Sequence, residues 1–154
     1  MRTMLLSFKA DVYKKVITGE KIYEHRKVFP DEPIKAYLYV SSPIKSVVGI
    51  MHLNNKTAIE DWKEKYSYDE NAIERITKYL QHYKYAMEIS DFQDTNKIPL
   101  EKLRSVLPGF VVPHMYYFID DTPLLNYLEQ NLVPCGERIV HDFSNIGSKQ
   151  ICKE

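Results

Sequence analysis

Three segments of strand length follow one another near the start of the chain, and their spacing limits the fold more than any other feature. They cover residues 21–28, 34–40 and 46–53, are rich in Ile, Val and Tyr, and are separated by short breaks that are polar or contain proline. Because these breaks are too short for crossover helices, antiparallel pairing of the three segments is favoured. The same order argues against a doubly wound sheet, in which helices alternate with strands.

Helices are predicted where the hydrophobic period changes to that of an amphipathic helix. Two helices are expected between about 57 and 82, where apolar residues recur at helical spacing. The second should begin at Ser67, because Ser67 and Glu70 have the spacing of a capping box. A final helix is expected from about residue 122, with Thr122 at the cap position and Pro123 in the first turn.

The remaining elements are shorter and complete a β-α-β-β-β-α-α-β-α-β-α order. They are predicted as strands over 4–8, 85–92 and 115–119 and as helices over 10–18 and 100–107. Strands that are mostly local in sequence, mixed with peripheral helices, are typical of an α+β fold with a strongly bent sheet or a small mixed or antiparallel β-barrel.

Positive charge is concentrated in the N-terminal third of a chain that is neutral overall. Residues 1–56 hold ten Lys and Arg against five Asp and Glu, whereas the whole chain holds 21 of each class. Because screening confines such interactions to about 8–10 Å, a basic region on a neutral body can still bind phosphates locally. A merely solvated lysine surface is the alternative interpretation.

Composition and spacing also set several classes of protein aside. No apolar run approaches the ~20 residues of a membrane helix, and the N-terminal apolar stretch is too short for a signal peptide, so a cytoplasmic protein without membrane partners is expected. Cys135 and Cys152 are expected to be free thiols in a reducing compartment. The five histidines lack the spacing of metal ligands, so neither a metal nor another cofactor is expected.

The densest cluster of functional groups is the segment GEKIYEHRK, from Gly19 to Lys27. Side chains alternate between the two faces of a strand, so Glu24 and Arg26 share a face with apolar neighbours. Burying either charge alone costs several kcal/mol, whereas a hydrogen-bonded pair offsets much of that cost. The pair is therefore expected either to brace the core or to line a cavity.

Four residues of this segment form a pattern, G-x-K-x-x-E-x-R, made by Gly19, Lys21, Glu24 and Arg26. The pattern resembles the signature of the ASCH domain family, whose members are relatives of the PUA-like RNA-binding barrels. The flanking segments LLSFKADVYKKVITG, YVSSP and IKSVVGIMHL are also similar to that family, and the resemblance covers about residues 4–118. It implies a small PUA-like barrel with a cleft beside the first helix, in which the lysine, glutamate and arginine face a ligand.

On this resemblance the chain is one domain over residues 1–154. The two predicted helices over about 57–82 are then interpreted as a helical insertion. The part of the chain from about residue 122 is interpreted as a C-terminal helical extension.

An RNA or nucleotide ligand is what the resemblance implies, and the motif residues suit one chemically. Arg26 can offer a fork of donors to a phosphate or to a carbonyl-bearing base edge, and Lys21 supplies a point charge. Glu24 does not favour phosphate, so it is expected to orient Arg26 or to accept a hydrogen bond from an exocyclic amine of a base.

Three neighbouring residues are predicted as further ligand contacts. Tyr23 can stack on a base, although a tyrosine on a strand is also typical of a half-buried sheet face. Ser41 and Ser42 stand at a strand end before Pro43, where they can donate to a ligand in the same cleft or cap the turn.

Two other functions stay open at the level of the sequence. Some ASCH relatives cleave RNA and others hydrolyse the acetyl amide of N4-acetylcytidine, and an enzyme of either kind would use Lys21 with Glu24 in acid–base work. Glu24 stands where the amidohydrolases have threonine, which departs from their pattern. A protein-interaction or regulatory module is the third interpretation, in which the helices over about 57–82 present Trp62 to a partner; burial of Trp62 would argue against it.

Overall fold

The computed structural model describes residues 1–153 as a curved sheet with helices packed on it. The strands are β1 (Arg2–Phe8), β2 (Tyr23–Arg26), β3 (Ile34–Val40), β4 (Ser46–Ala58), β5 (Tyr85–Pro99), β6 (Tyr116–Phe118) and β7 (Ile139–Val140). The helices are α1 (Ala10–Ile17), α2 (Trp62–Lys65), α3 (Glu70–Leu80), α4 (Leu100–Val106) and α5 (Pro123–Asn131). Short 3-10 turns lie at Ile59–Asp61 and Ser148–Gln150.

The strands form one mixed sheet in the order β2-β5-β4-β3-β1-β6, and β7 pairs with β5. The sheet curls into a half-barrel, so the predicted α+β class is confirmed. The predicted antiparallel pairing is correct for β3 with β4. Strand β2 pairs with β5 and not with β3, and the second neighbour of β3 is β1, which runs parallel to it. The parallel pair is possible because the connection from β1 to β3 contains α1 and β2 and is long enough for a crossover.

Hydrophobic side chains fill three clusters around this sheet. One face of the sheet buries Leu6, Leu38 and Phe92 against α1, and the opposite face buries Tyr37 with Leu128 of α5. The third cluster lies between α2, α3, β2 and the C-terminal segment. At 25–30 cal/mol per Å² of apolar surface removed from water, such burial is the main stabilising contribution.

The ends of two predicted helices need correction. Strand β4 continues to Ala58, so the helical stretch begins two residues later than expected, with the 3-10 turn at Ile59. Helix α3 begins at Glu70, and its cap is Asp69, whose side chain accepts from the backbone N–H of Ala72. The Ser67 capping box is therefore wrong, because the carboxylate of Asp69 satisfies the helix start instead.

The other terminal signals agree with the structure. Thr122 caps α5 by accepting from the backbone N–H of Leu125, and Pro123 occupies the first turn. Within residues 1–153, no helix has the length and apolar character needed to cross a membrane.

Candidate functional site

A cleft of about 640 Å³ opens between β2, the end of β1 and the start of α1. Among the predicted site residues it is lined by Lys21, Glu24, Arg26 and Ser41. Three of the four residues of the motif pattern, Lys21, Glu24 and Arg26, are thus brought together at one solvent-reached cleft beside the first helix.

Local sequence explains how Lys21 enters this cleft. Helix α1 ends before Gly19, whose φ of +79° is a left-handed conformation that a residue with a side chain adopts only at a cost. The backbone N–H of Lys21 then donates to the carbonyl of Lys15 at 3.1 Å, which fixes the turn against the helix. The side chain of Lys21 is only 3% exposed, so its charge lies at the base of the cleft.

Glu24 lies at the centre of the charged cluster. Its Oε1 lies 3.6 Å from Lys21 Nζ and accepts from the backbone N–H of His25 at 3.0 Å. Its Oε2 accepts from Arg26 Nη2 at 3.1 Å. The glutamate therefore holds the two cations in place from one buried position.

The pKa of Glu24 reflects this balance. Burial acts to raise it, but the charges of Lys21 and Arg26 and the hydrogen bonds from Arg26 and the His25 backbone outweigh burial. The net effect is a pKa below the ordinary 4.5, so Glu24 is a carboxylate at neutral pH.

Arg26 connects β2 to β1, which are not neighbours in the sheet. Besides binding Glu24, its Nη2 donates to the carbonyl of Ser7 at 3.2 Å. Its Nε is buried and has no hydrogen-bond partner among the described residues. A buried donor without a partner is costly, so a further acceptor beside this guanidinium would be stabilising.

Several cleft residues lie outside the predicted set. Lys9 and Lys27 are exposed at its rim, and Asp11 and His82 also contribute to the lining. Lys9 is the N-cap of α1, and Asp11 and Val12 of the first turn also line the cleft, so the start of the helix lies at the cleft. For Lys9 the sequence did contain a signal, because a basic residue directly before a helix start lies where backbone N–H groups can bind anions.

Two of the predicted contacts lie away from the cleft or are used structurally. Ser42 is exposed and does not line it. Ser41 does line it, but its backbone N–H donates to the carbonyl of Phe8 at 3.0 Å and holds the end of β3 to β1.

Tyr23 is also separate from the cleft, since it is buried in the third hydrophobic cluster and packs against Trp62 with ring centroids 5.3 Å apart. Trp62 itself is only 6% exposed. This burial argues against the interpretation of a partner surface presented through Trp62.

Metal binding is not supported by the side-chain arrangement. Among residues 1–153, no group of three or more His, Cys, Asp or Glu side chains could hold a metal ion. Cys135 and Cys152 are both free thiols, the first exposed and the second buried.

Comparison with known proteins gives matches among solved structures. No protein-family model matches the sequence, and no curated protein matches it. The crystal structure of ASCH from Zymomonas mobilis superposes with a TM-score of 0.65 at 18% identity, over 86% of this chain and 96% of that one. A tyrosine-to-phenylalanine variant of that protein gives 0.64 at 18% identity, over 86% and 100%, and a serine-to-alanine variant gives 0.61 at 18%, over 84% and 96%. The resemblance first seen in the G-x-K-x-x-E-x-R pattern is therefore confirmed for the fold, and the chain has the fold of an ASCH domain.

Proposed function

We propose that the cleft binds RNA or a nucleotide, with Lys21 and Arg26 as ligand contacts and Glu24 as their organiser. The observation that carries the proposal is the buried Lys21–Glu24–Arg26 cluster at the base of a hollow that solvent reaches. Buried ionic groups are usually sealed in a core or paired at an interface, so their position at the floor of a cleft favours a ligand.

The charge of the lining suits an anion. Glu24 is neutralised by its two cationic neighbours, which leaves the exposed Lys9 and Lys27 to meet phosphates at the rim. The start of α1 adds the positive end of the helix dipole, although one of its first-turn N–H groups, that of Val12, already donates to Asp11 Oδ1 at 3.0 Å. Asp11 offsets part of this potential, because its carboxylate also lines the cleft.

Size and chemistry allow one nucleotide to be recognised. The volume of about 640 Å³ lies within the ~300–1,000 Å³ of small-molecule sites. Arg26 can turn its unused donors toward a phosphate or a base carbonyl, and each oxygen of Glu24 has a further lone pair for an exocyclic amine. Phe8 and Tyr83 also line the cleft and provide rings on which a base can stack.

A role in proton transfer is less well supported for Glu24. A general acid or base works best when its pKa lies near the operating pH. The two neighbouring cations hold the pKa of Glu24 below its ordinary value, which moves it further from neutrality. This supports binding over hydrolysis by the Lys21–Glu24 pair.

The test replaces the two rim lysines, whose exposure makes folding insensitive to the change. RNA oligonucleotides and mononucleotides are titrated against the native chain, the double variant Lys9→Gln/Lys27→Gln, and the control Lys102→Gln. Lys102 is an exposed lysine of α4 and lines neither the cleft nor a neighbouring pocket.

Binding by the native chain should weaken in the double variant and stay unchanged in the control. Each lysine–phosphate interaction contributes about 0.7 to the slope of log K against log salt for single strands, so loss of both lysines should reduce the slope by about 1.4. No binding by the native chain, or an equal loss of affinity in the double variant and the control, would overturn the proposal.

A further inference from the structure

Tyr23 lines a second, smaller pocket, of about 240 Å³. Adjacent side chains of a strand point to opposite faces, so this pocket lies on the other face of β2 from Glu24. The Tyr23 ring meets the rings of Trp62 and Phe143 edge to face, with centroids 5.3 Å apart in both pairs and interplanar angles of 70° and 62°. Tyr66 completes the aromatic lining.

The charge of this pocket is opposite in sign to that of the cleft. Glu88 lies across from Tyr23 in the β2–β5 register, and Asp61 of the neighbouring 3-10 turn adds a second carboxylate. One oxygen of Glu88 accepts from Asn55 Nδ2 at 3.0 Å, which holds that carboxylate at the pocket. Lys65, an exposed lysine of the lining, offsets part of this negative charge, and its Nζ lies 5.4 Å from the centre of the Tyr66 ring.

Aromatic walls and carboxylates together select one class of ligand. The faces of aromatic rings carry negative potential and attract cations within about 6 Å. A methylated ammonium group suits such walls, because it carries charge without N–H donors that the rings cannot satisfy. Anions are repelled by Asp61 and Glu88.

We propose that the pocket formed by Tyr23, Trp62, Tyr66, Phe143, Asp61 and Glu88 binds a methylated ammonium group. The volume is below the ~300–1,000 Å³ of drug-sized ligands, so it takes a small cation or the end of a longer molecule. This site is distinct from the proposed nucleotide cleft and does not depend on it. Its failure and the failure of the cleft proposal are therefore separate outcomes.

Trp62 is the only tryptophan of the chain, so its fluorescence reports on this pocket. The native protein is titrated with choline and with 3,3-dimethylbutan-1-ol, which has the same shape but no charge, at ionic strength matched with sodium chloride. Choline should shift the Trp62 emission and bind at least about fivefold more tightly than the neutral compound. Binding of choline and of the neutral compound with equal affinity would overturn the proposal.

Two charge variants and a matched control test the lining. Glu88→Gln should weaken choline binding severalfold, whereas Glu64→Gln, an exposed glutamate of α2 outside the lining, should not change it. Lys65→Gln should strengthen binding, because it removes the competing ammonium. Equal affinities in the Glu88 and Glu64 variants, with both folded by circular dichroism, would count against the site.

A final arm separates the two sources of the ligand group. Acetyl-trimethyllysine amide is titrated beside choline in the same assay. Tighter binding of choline indicates a free small cation, and tighter binding of the lysine derivative indicates a methylated side chain of another protein. Binding of neither compound overturns the proposal.

Discussion

Replacing Glu24 with glutamine should destabilise the fold, because it removes a negative charge from between two cations. Glu24 contacts Lys21 at 3.6 Å and Arg26 at 3.1 Å, and its side chain is only 8% exposed. Removing one partner of a buried ion pair typically costs ~3–5 kcal/mol. The Arg26 side chain is 16% exposed and glutamine keeps one acceptor oxygen, so we expect a loss of roughly 2–3 kcal/mol in the free energy of unfolding.

Urea denaturation followed by Trp62 fluorescence measures this loss. The matched control is Glu74→Gln on α3, whose pair with Lys78 spans 3.4 Å between side chains that are 67% and 70% exposed. Exposed pairs contribute only about 0–1 kcal/mol, so the control should unfold almost as the native chain does. The reasoning is refuted if Glu24→Gln costs no more than Glu74→Gln.

The native chain and the Glu24→Gln variant also allow a test of pH dependence. The pKa of Glu24 in the folded state lies below its ordinary 4.5, so the unfolded chain takes up this proton first as the pH falls. The stabilisation is fully present above about 4.5 and disappears as the pH falls through the folded-state pKa. The stability difference between the native chain and Glu24→Gln should therefore shrink below about pH 4.5, whereas a difference that stays constant down to pH 3 would contradict the argument. Asp69 and Asp142, whose pKa values are also lowered, titrate in both proteins and cancel in the difference.

Three further outcomes follow from other parts of the molecule. Gly49→Ala should lower the free energy of unfolding by about 1–3 kcal/mol, because the added Cβ would lie 2.5 Å from an aromatic carbon and 2.6 Å from a backbone oxygen. The control is Gly147→Ala, whose Cβ would lie 3.7 Å from its nearest neighbour. Similar unfolding curves for the two variants would contradict the steric argument. Thr122→Ala should cost about 1 kcal/mol in thermal unfolding by removing the cap of α5, and an unchanged midpoint would show that the cap contributes nothing. Burial raises the pKa of Cys152 to about 12, so a thiol-reactive dye should label one cysteine, Cys135, in the native chain and both in urea; labelling of both without denaturant would show that Cys152 is accessible.

Local signals in the sequence predicted the helices better than the strands. Gly19 and the Thr122–Pro123 pair mark helix ends through interactions with their immediate neighbours, and both predictions agree with the structure. The start of α3 was misplaced because Ser67 and Asp69 are both capping residues at close spacing, and the spacing alone does not choose between them. The order of elements was correct from β1 to α5, since it depends only on local period, whereas β7 was not predicted.

The extent and pairing of the strands depend on distant residues. Strands β4 and β5 continue to Ala58 and Pro99, beyond the predicted ends at 53 and 92. Their register shifts at several places, and Asn55 adopts a positive φ at one of them. Such bulges let a pair of strands continue past polar residues that interrupt the alternation of hydrophobicity, so the alternation ends before the strands do.

The part of the candidate site that could be predicted is the part whose residues lie in one short segment of the chain. Lys21, Glu24 and Arg26 are close in the chain, and strand alternation places Glu24 and Arg26 on one face. Lys9 arrives through α1, and the placement of Tyr23 in another pocket depends on Trp62 and Phe143, which are far away in sequence. These long-range placements follow from tertiary packing and have no local signal.

The position of β1 inside the sheet has a consequence for the order of folding. The first strand lies between β3 and β6, and Met4, Leu5 and Leu6 pair with residues 116–118 near the other end of the chain. Closing a loop of that length costs conformational entropy before the new interactions offset it, and proteins dominated by such distant pairings fold slowly. A chain emerging from the ribosome can pair β3 with β4 early, but β1 gains its second neighbour only after residue 118 has been synthesised.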